Sequence, residues 1–395
     1  MPGWAPPHRY GTTSPFASLV TDINDAKAEY FVTMSLRNAC VTFFPERDTR
    51  YRSQFVSRDG VTAVLHGFSE YDMGYRRLAT VRPERPQDQT SLAACERRSI
   101  GLAVPMSSNN IYHQAFHAVP AWETLRAHTA ADATLIPLVF SNAAFGRGSK
   151  PIKPRRWFAW EFTVRALSQA SSSALLAATQ ALVEARCTCF DRVEADASAF
   201  NPSARGAASR LRAFRARALY NNAAANGVVD RIARRSLLFV SRVGARRVAT
   251  NEALLLSRLQ AATARVQRVV LEELPFAEQM SLVASSAGLI AVHGQALAWM
   301  LFLPTESART AVIEILISSR HRNRINDCYQ DWAASLQVKY FRVRSEASVC
   351  PATDKRRSKV NPLQLLNECN VTVDADRLLG IVRLADAWTA GTEGG

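Results

Sequence analysis

The stretch Ser236-Leu237-Leu238-Phe239-Val240-Ser241-Arg242-Val243-Gly244-Ala245-Arg246-Arg247 decides how the second half of the chain folds. Four consecutive apolar residues between serines read as a strand, and a basic turn carries the chain to Asn251-Glu252 at the start of a helix. A strand apolar at every position is buried on both faces, which is the habit of parallel sheets. The rhythm continues through helix 251–265, strand 268–274, helix 275–286, strand 288–292, helix 295–303 and strand 311–316. Helix 326–336, strand 338–343 and a last helix at 375–388 follow. Strict alternation of this kind predicts a Rossmann-like domain over residues 236–390.

Upstream the same pattern recurs with less clarity. A buried strand at 100–104 leads through Ser107-Ser108-Asn109-Asn110, which reads as a helix cap, to a helix at 111–127 and a strand at 134–140. Helices near 157–169 and 172–185 and a strand at 188–193 complete a first Rossmann-like domain over 98–200. Residues 1–97 form a poorly defined N-terminal part of it, with short strands at 40–44 and 61–65 and a Pro- and Arg-rich loop at 81–90. Residues 201–235, rich in Ala, Arg and Asn, read as a basic inter-domain segment.

Composition narrows the class. The 395 residues are 48% hydrophobic and 21% charged, which excludes collagen, coiled coil and wholesale disorder. The net charge of +15 is concentrated: residues 205–247 hold 11 Arg against one acid (Asp230), and residues 147–156 hold five bases and no acid. These two stretches account for the whole excess. A protein that coats a polyanion spreads its charge along a face, so this pattern points to local anion sites or solvated helix faces. The seven cysteines are few for the length, and Cys187-Thr188-Cys189 has no second Cys/His pair nearby to make a zinc site. Their disulfide pairing is not readable. The N-terminus has no apolar signal core and no run is long enough to span a bilayer, so a soluble chain is expected, one that lacks any targeting segment as given.

Three constellations have chemical potential. Arg242, Arg246 and Arg247 sit where a strand ends and a helix begins, the place where doubly wound sheets bind anions, and guanidiniums suit a diphosphate. Neither a G-x-G-x-x-G nor a Walker A loop is present; the alternative is a solvated basic turn. His293-Gly294 stands at another strand end, with Glu314 inside the apolar run 311–316. The histidine is either a donor to a phosphate or sugar hydroxyl, or a structural hydrogen-bonding residue; the acid meets either a ribose diol or an internal Arg. Asn110-Ile111-Tyr112-His113-Gln114-Ala115-Phe116-His117 places two histidines at i and i+4 on one helix face. Gln114 occupies the place of the H-E-x-x-H glutamate, so a zinc protease site is absent, and the cluster reads as a polar helix start able to take a proton from an acceptor hydroxyl. No D-x-D motif suggests a metal-held diphosphate, so no metal is expected. Asn370-Val371-Thr372 is a glycosylation sequon, of consequence in a lumenal protein.

Taken in order, these blocks resemble glycosyltransferase family 61, the group of plant xylosyl- and arabinosyltransferases and animal lumenal O-linked N-acetylglucosamine transferases. Over residues 105–385 the resemblance rests on Asn110-Ile111-Tyr112-His113, on Cys189-Phe190, and on Ser241-Arg242 with Arg246-Arg247 and Asn251-Glu252. Glu278-Gln279, His293-Gly294, Phe302-Leu303-Pro304 and Val312-Ile313-Glu314-Ile315 follow at the family's spacing. Gln295 stands where the family has Ala, and His117 where many plant members have an acid.

The resemblance implies an α/β protein of GT-B type, with two Rossmann-like domains facing a cleft. It implies transfer of a sugar, N-acetylglucosamine or xylose, from a UDP-sugar to a hydroxyl of a glycoprotein or polysaccharide, with inversion and without metal or other cofactor. Arg242, Arg246, Arg247, Asn251, Glu278, His293, Gly294 and Glu314 would hold the donor, Asn110 and Tyr112 would face the acceptor, and His113 or His117 would serve as base. No nucleic-acid partner is expected, and membrane attachment would come only through an N-terminal anchor, in the Golgi or endoplasmic reticulum lumen. Two other readings stay open: a basic nucleic-acid-binding protein using residues 205–217, and an inactive GT-B interaction module.

Overall fold

Five short strands, three of them buried at every position, organise the second half of the chain. The computed structural model describes residues 29–31, 33–45, 51–60, 63–69, 74–106, 111–127, 134–139, 154–167, 182, 185, 187–196, 200, 206–226, 236–242, 247–305, 308–317, 328–350 and 369–391. The chain divides into two units, Met1–Asn201 with Tyr220–Ala225 and Pro202–Leu219 with Asn226–Gly395.

In the second unit, β9 (Leu237–Val240), β10 (Val266–Val269), β11 (Gly288–Val292), β12 (Ala311–Leu316) and β13 (Lys339–Arg344) form one sheet in the order β10-β9-β11-β12-β13. Every pairing is parallel. Counted along the chain, this is the doubly wound order 2-1-3-4-5, which reverses direction between β9 and β11. On one face Ile290, Val292, Ile313 and Ile315 pack against Leu255 and Leu259 of α5 (Glu252–Ala262) and Leu378, Val382 and Ala385 of α8 (Ala375–Ala390). Fully burying each such side chain contributes about 1.5–3 kcal/mol. Strand alternation turns Glu314 to the other face. There a 3-10 helix, Gln295–Phe302, lies against β11 and β12 and is covered by α6 (Phe276–Ala284) and α7 (Cys328–Leu336). Asp374 caps α8 by accepting from the backbone N–H groups of Asp376 and Arg377 at 2.9 and 3.0 Å. A two-stranded ribbon, β14 (Ala347–Val349) and β15 (Asn370–Thr372), is joined at its end by the Cys350–Cys369 disulfide.

The first unit holds an eight-stranded mixed sheet in the order β1-β4-β5-β3-β2-β8-β6-β7. Its strands are β1 (Glu29–Phe31), β2 (Thr33–Pro45), β3 (Tyr51–Ser57), β4 (Ala63–Ser69), β5 (Gly74–Pro83), β6 (Glu96–Met106), β7 (Thr134–Val139) and β8 (Thr188–Asp196). The trio β8-β6-β7 is parallel, as the alternation predicts, with α2 (Ile111–Ala127) against β6 and β8 and α3 (Pro154–Leu167) against α2. Beyond it the sheet changes character. β2 pairs antiparallel with β8, and the short β2–β3 and β4–β5 connections force antiparallel hairpins, so residues 29–83 extend this sheet. Two disulfides lock the junction: Cys40–Cys189 joins directly opposed residues of β2 and β8, and Cys95–Cys187 lies beside it.

Some boundaries differ from the sequence reading. Residues 81–90 are the end of β5 and the start of α1 (Pro86–Leu92) rather than a loop. The strand expected at 268–274 ends at Val269 and yields to a 3-10 turn, Leu271–Glu273, because its position at the sheet edge leaves Gln267 and Arg268 exposed. The helix expected at 295–303 winds as 3-10, held by packing on all sides. The basic segment 201–235 contains α4 (Ala207–Asn226), in which Leu211, Phe214 and Ala218 are buried. Among the described residues no helix is long and apolar enough to cross a membrane.

Candidate functional site

Parallel strands deliver all their C-termini to one edge of a sheet, and at the reversal between β9 and β11 the flanking helices diverge and leave a crevice. Ser241 and Arg242 leave β9 at that edge, and His293 and Gly294 leave β11. Glu252, the first residue of α5, fixes the first of these ends. Its Oε1 accepts from Ser241 Oγ at 2.7 Å and from Arg268 Nε at 3.1 Å, tying β9, β10 and the helix start together.

The two ends meet through arginines. Arg247 adopts a positive φ of 54° and its Nη1 donates to the backbone oxygen of His293 at 3.2 Å. Gly294 lies beneath both guanidiniums. A Cβ added there would stand 2.7 Å from Nη1 of Arg247 and 3.4 Å from Nη1 of Arg242, and the glycine's φ of 155° is one that other residues rarely adopt. Burial, and then the neighbouring charge of Arg242, hold the Arg247 guanidinium below its ordinary value, opposed by Tyr329. Arg242 has the carboxylate of Glu272 3.9 Å from its Nε. Two guanidiniums crowded over a side-chain-free position repel each other, and an anion placed between them relieves that repulsion.

Behind this edge lies a buried polar row. His293, 7% exposed, is hydrogen-bonded through Nδ1 to Oε1 of Glu314, whose side chain is 0% exposed. Oε2 of Glu314 accepts from the Tyr340 hydroxyl. Burial, reinforced by the charge of Glu314, pushes the Tyr340 phenol well above its ordinary value, so it stays a donor. The ring of Tyr329, on α7, meets the His293 imidazole edge-on at 5.3 Å.

Of the residues singled out from the sequence, the fold therefore gathers Arg242, Arg247, His293, Gly294 and Glu314. Others it employs elsewhere. Asn251 spends both ends of its amide on Val373, donating to its oxygen at 2.7 Å and accepting from its N–H at 3.2 Å. Glu278 is exposed on the first turn of α6, while its neighbour Gln279 is buried and donates to Leu274 O at 2.8 Å. Phe276 of α6 meets Trp299 of the 3-10 helix, which lies against Phe302 of the same helix, in a buried aromatic cluster. Arg246, Asn110 and the basic loop at 147–153 lie outside the described residues. In the first unit, Tyr112, His113 and His117 ride on the first two turns of α2. His117 is 3% exposed, Tyr112 is half-buried, and Gln114 anchors the helix by donating to Pro105 O at 3.0 Å. Tyr329 and Tyr340 join the site without any signal in the sequence.

The model of the family described as Glycosyltransferase 61 matches residues 103–313, more than half of the chain. The chain belongs to glycosyltransferase family 61. The matched span of this family includes α2 and the whole Arg242–Arg247–Gly294 cluster and stops one residue short of Glu314, so the Glu314–Tyr340 pair comes from beyond it. No curated protein matches the chain. Among solved structures, a metal-soaked Flv1 flavodiiron core from Synechocystis sp. PCC6803 is similar at 12% identity and a TM-score of 0.21, over 52% of this chain and 50% of that one. The chain thus spans about half the length of that structure, and a likeness so slight bears on neither fold nor function.

Proposed function

We propose that this family 61 glycosyltransferase moves a sugar, N-acetylglucosamine or xylose, from a UDP-sugar to a hydroxyl of a glycoprotein or polysaccharide, with inversion. The observation that carries the donor reading is the convergence of Arg242 and Arg247 on Gly294 at the strand-order reversal between β9 and β11. A nucleotide diphosphate is the anion that suits two guanidiniums and a Cβ-free floor, and it is the leaving group of this reaction. Two fixed positive charges stabilise the charge that develops on it, the task a divalent metal performs in other transferases. No metal is therefore assigned. The acceptor is assigned to the first unit, with Tyr112 beside it and the base drawn from His113 and His117, in keeping with a GT-B arrangement. The three disulfides suit an oxidising compartment and favour a Golgi or endoplasmic reticulum lumen.

Thermal shift of the purified protein with UDP, UDP-N-acetylglucosamine and UDP-xylose tests the donor, since a ligand of the native state raises Tm. Donor hydrolysis with and without chelator tests the absence of metal. Stabilisation by one UDP-sugar, lost in Arg242→Ala and indifferent to chelator, is expected. Failure of all three ligands to bind, or an Arg242→Ala variant that binds like the parent, refutes the assignment. His113→Ala and His117→Ala variants that bind donor yet lose transfer identify the base.

A further inference from the structure

Glu314 occupies the interior of a fully buried strand, and both of its oxygens are already taken, one by His293 Nδ1 and one by the Tyr340 hydroxyl. A side chain that is 0% exposed and doubly bonded has no way to reach a ribose diol or a phosphate. Yet an ionised carboxylate in that place is costly unless its partners are well ordered. What it touches is the residue next to Gly294, on the floor beneath the two guanidiniums.

Resting on the diphosphate reading of this site, we propose that Glu314 is a positioning residue. It accepts the Nδ1–H of His293 and so fixes the tautomer and orientation of the imidazole, which presents Nε2 to the ligand. Tyr340, donating to the second oxygen, completes the hydrogen bonding of the buried carboxylate. Two further contacts hold the residue in place: Tyr329 packs edge-on against the ring at 5.3 Å, and Arg247 pins the His293 backbone oxygen at 3.2 Å. A histidine whose far nitrogen is held by a carboxylate has one nitrogen with a defined role, and outer partners of this kind set the ligand-side behaviour of the ring without touching the ligand. Glu314 thereby passes from the donor-contacting set, where its place in the sequence puts it, to the layer behind.

The tautomer is measured on the ligand-free full chain labelled with 15N-histidine, with His293 assigned by its loss in His293→Gln. The expected spectrum has Nδ1 of His293 protonated. In Glu314→Gln the fixed Nδ1–H form is lost, because an amide presents either a donor or an acceptor to the ring. Tyr340→Phe retains the Nδ1–H form. UDP affinity in Glu314→Gln falls about tenfold, the lower end of what such outer partners are worth. A wild-type Nδ1 that carries no proton, or a tautomer unmoved by Glu314→Gln, overturns the proposal; if that variant does not fold, the wild-type Nδ1 state decides alone. The spectrum needs no nucleotide. Wild type that shows the expected tautomer yet ignores UDP leaves the row intact and sinks the diphosphate reading instead.

Discussion

Substituting Gly294 by alanine probes the proposed donor site through backbone and sterics at once. The position has φ 155° and ψ −171°, where a Cβ is strained, and such conformations cost non-glycine residues about 1–3 kcal/mol. The new methyl would also lie 2.7 Å from Arg247 Nη1, too close for any real contact, but that atom is the tip of a flexible side chain and can retreat. Retreat breaks its 3.2 Å bond to His293 O and swings the guanidinium off the floor. The stability loss is therefore mostly the backbone term, about 2 kcal/mol, or roughly 4–8 °C in the Tm of a unit this size. The larger loss is in anion binding. A hydrogen bond to a charged group contributes about 1.5–3 kcal/mol, so displacement of Arg247 weakens UDP by about 10- to 150-fold. Thermal unfolding with and without UDP, with calorimetric titration alongside, separates the two. A Gly294→Ala protein that keeps both its Tm and its UDP affinity shows that Arg247 does not rest where the geometry has it, and the reasoning fails.

Three more perturbations bear on the same architecture. In Arg247→Lys, burial and the Arg242 charge act on an amine whose ordinary value is already near 10.4, so UDP affinity falls as pH rises from 8 to 10 while the wild type stays level in the same titration. The folded-state pKa of Tyr340 is raised, so its contribution to stability is complete below about pH 10, where the unfolded phenol begins to ionise, and is lost above it at about 1.4 kcal/mol per pH unit. Tyr340→Phe, followed by Tm between pH 8 and 11, loses stability less steeply; parallel curves refute this. Non-reducing peptide mapping finds Cys187 and Cys189 linked to different partners, Cys95 and Cys40, and Cys350→Ser lowers stability by about 3 kcal/mol for its short loop.

The second unit was readable because its inner strands carry an unambiguous pattern. Residues 288–292 and 311–316 are apolar or buried throughout and sharply punctuated, and the strands fall at those positions. The edge strand Val266–Val269 is half exposed, and the apolar residues after it drew the sequence reading downstream. The cluster at the strand ends was readable for a related reason. Once a sheet is parallel, every strand end falls on one edge, so Arg242, Arg247, His293 and Gly294 share that edge, and the adjacency of β9 and β11 makes them neighbours. Tyr340 is different. Its meeting with Glu314 depends on β13 lying beside β12 in a definite register, and on reaching the same face two residues before Arg342, the in-register partner of Glu314. Strand adjacency of that kind is a tertiary fact with no local signal. The hairpins of residues 29–83 and the cysteine partners were hidden likewise, because pairing across 149 residues leaves no trace in spacing.

The two nested disulfides at the start of β8 also decide how the protein can be shortened. The family match begins at residue 103, and a recombinant fragment cut there is the obvious economy. It would discard Cys40 and Cys95 together with β2, leaving two thiols with one residue between them at the start of a strand whose antiparallel neighbour is gone. Such a fragment faces thiol scrambling and edge-to-edge aggregation through β8. The boundary of family likeness and the boundary of autonomous folding are thus separate in this chain, and secretion or refolding trials belong on the version that keeps both cystines whole.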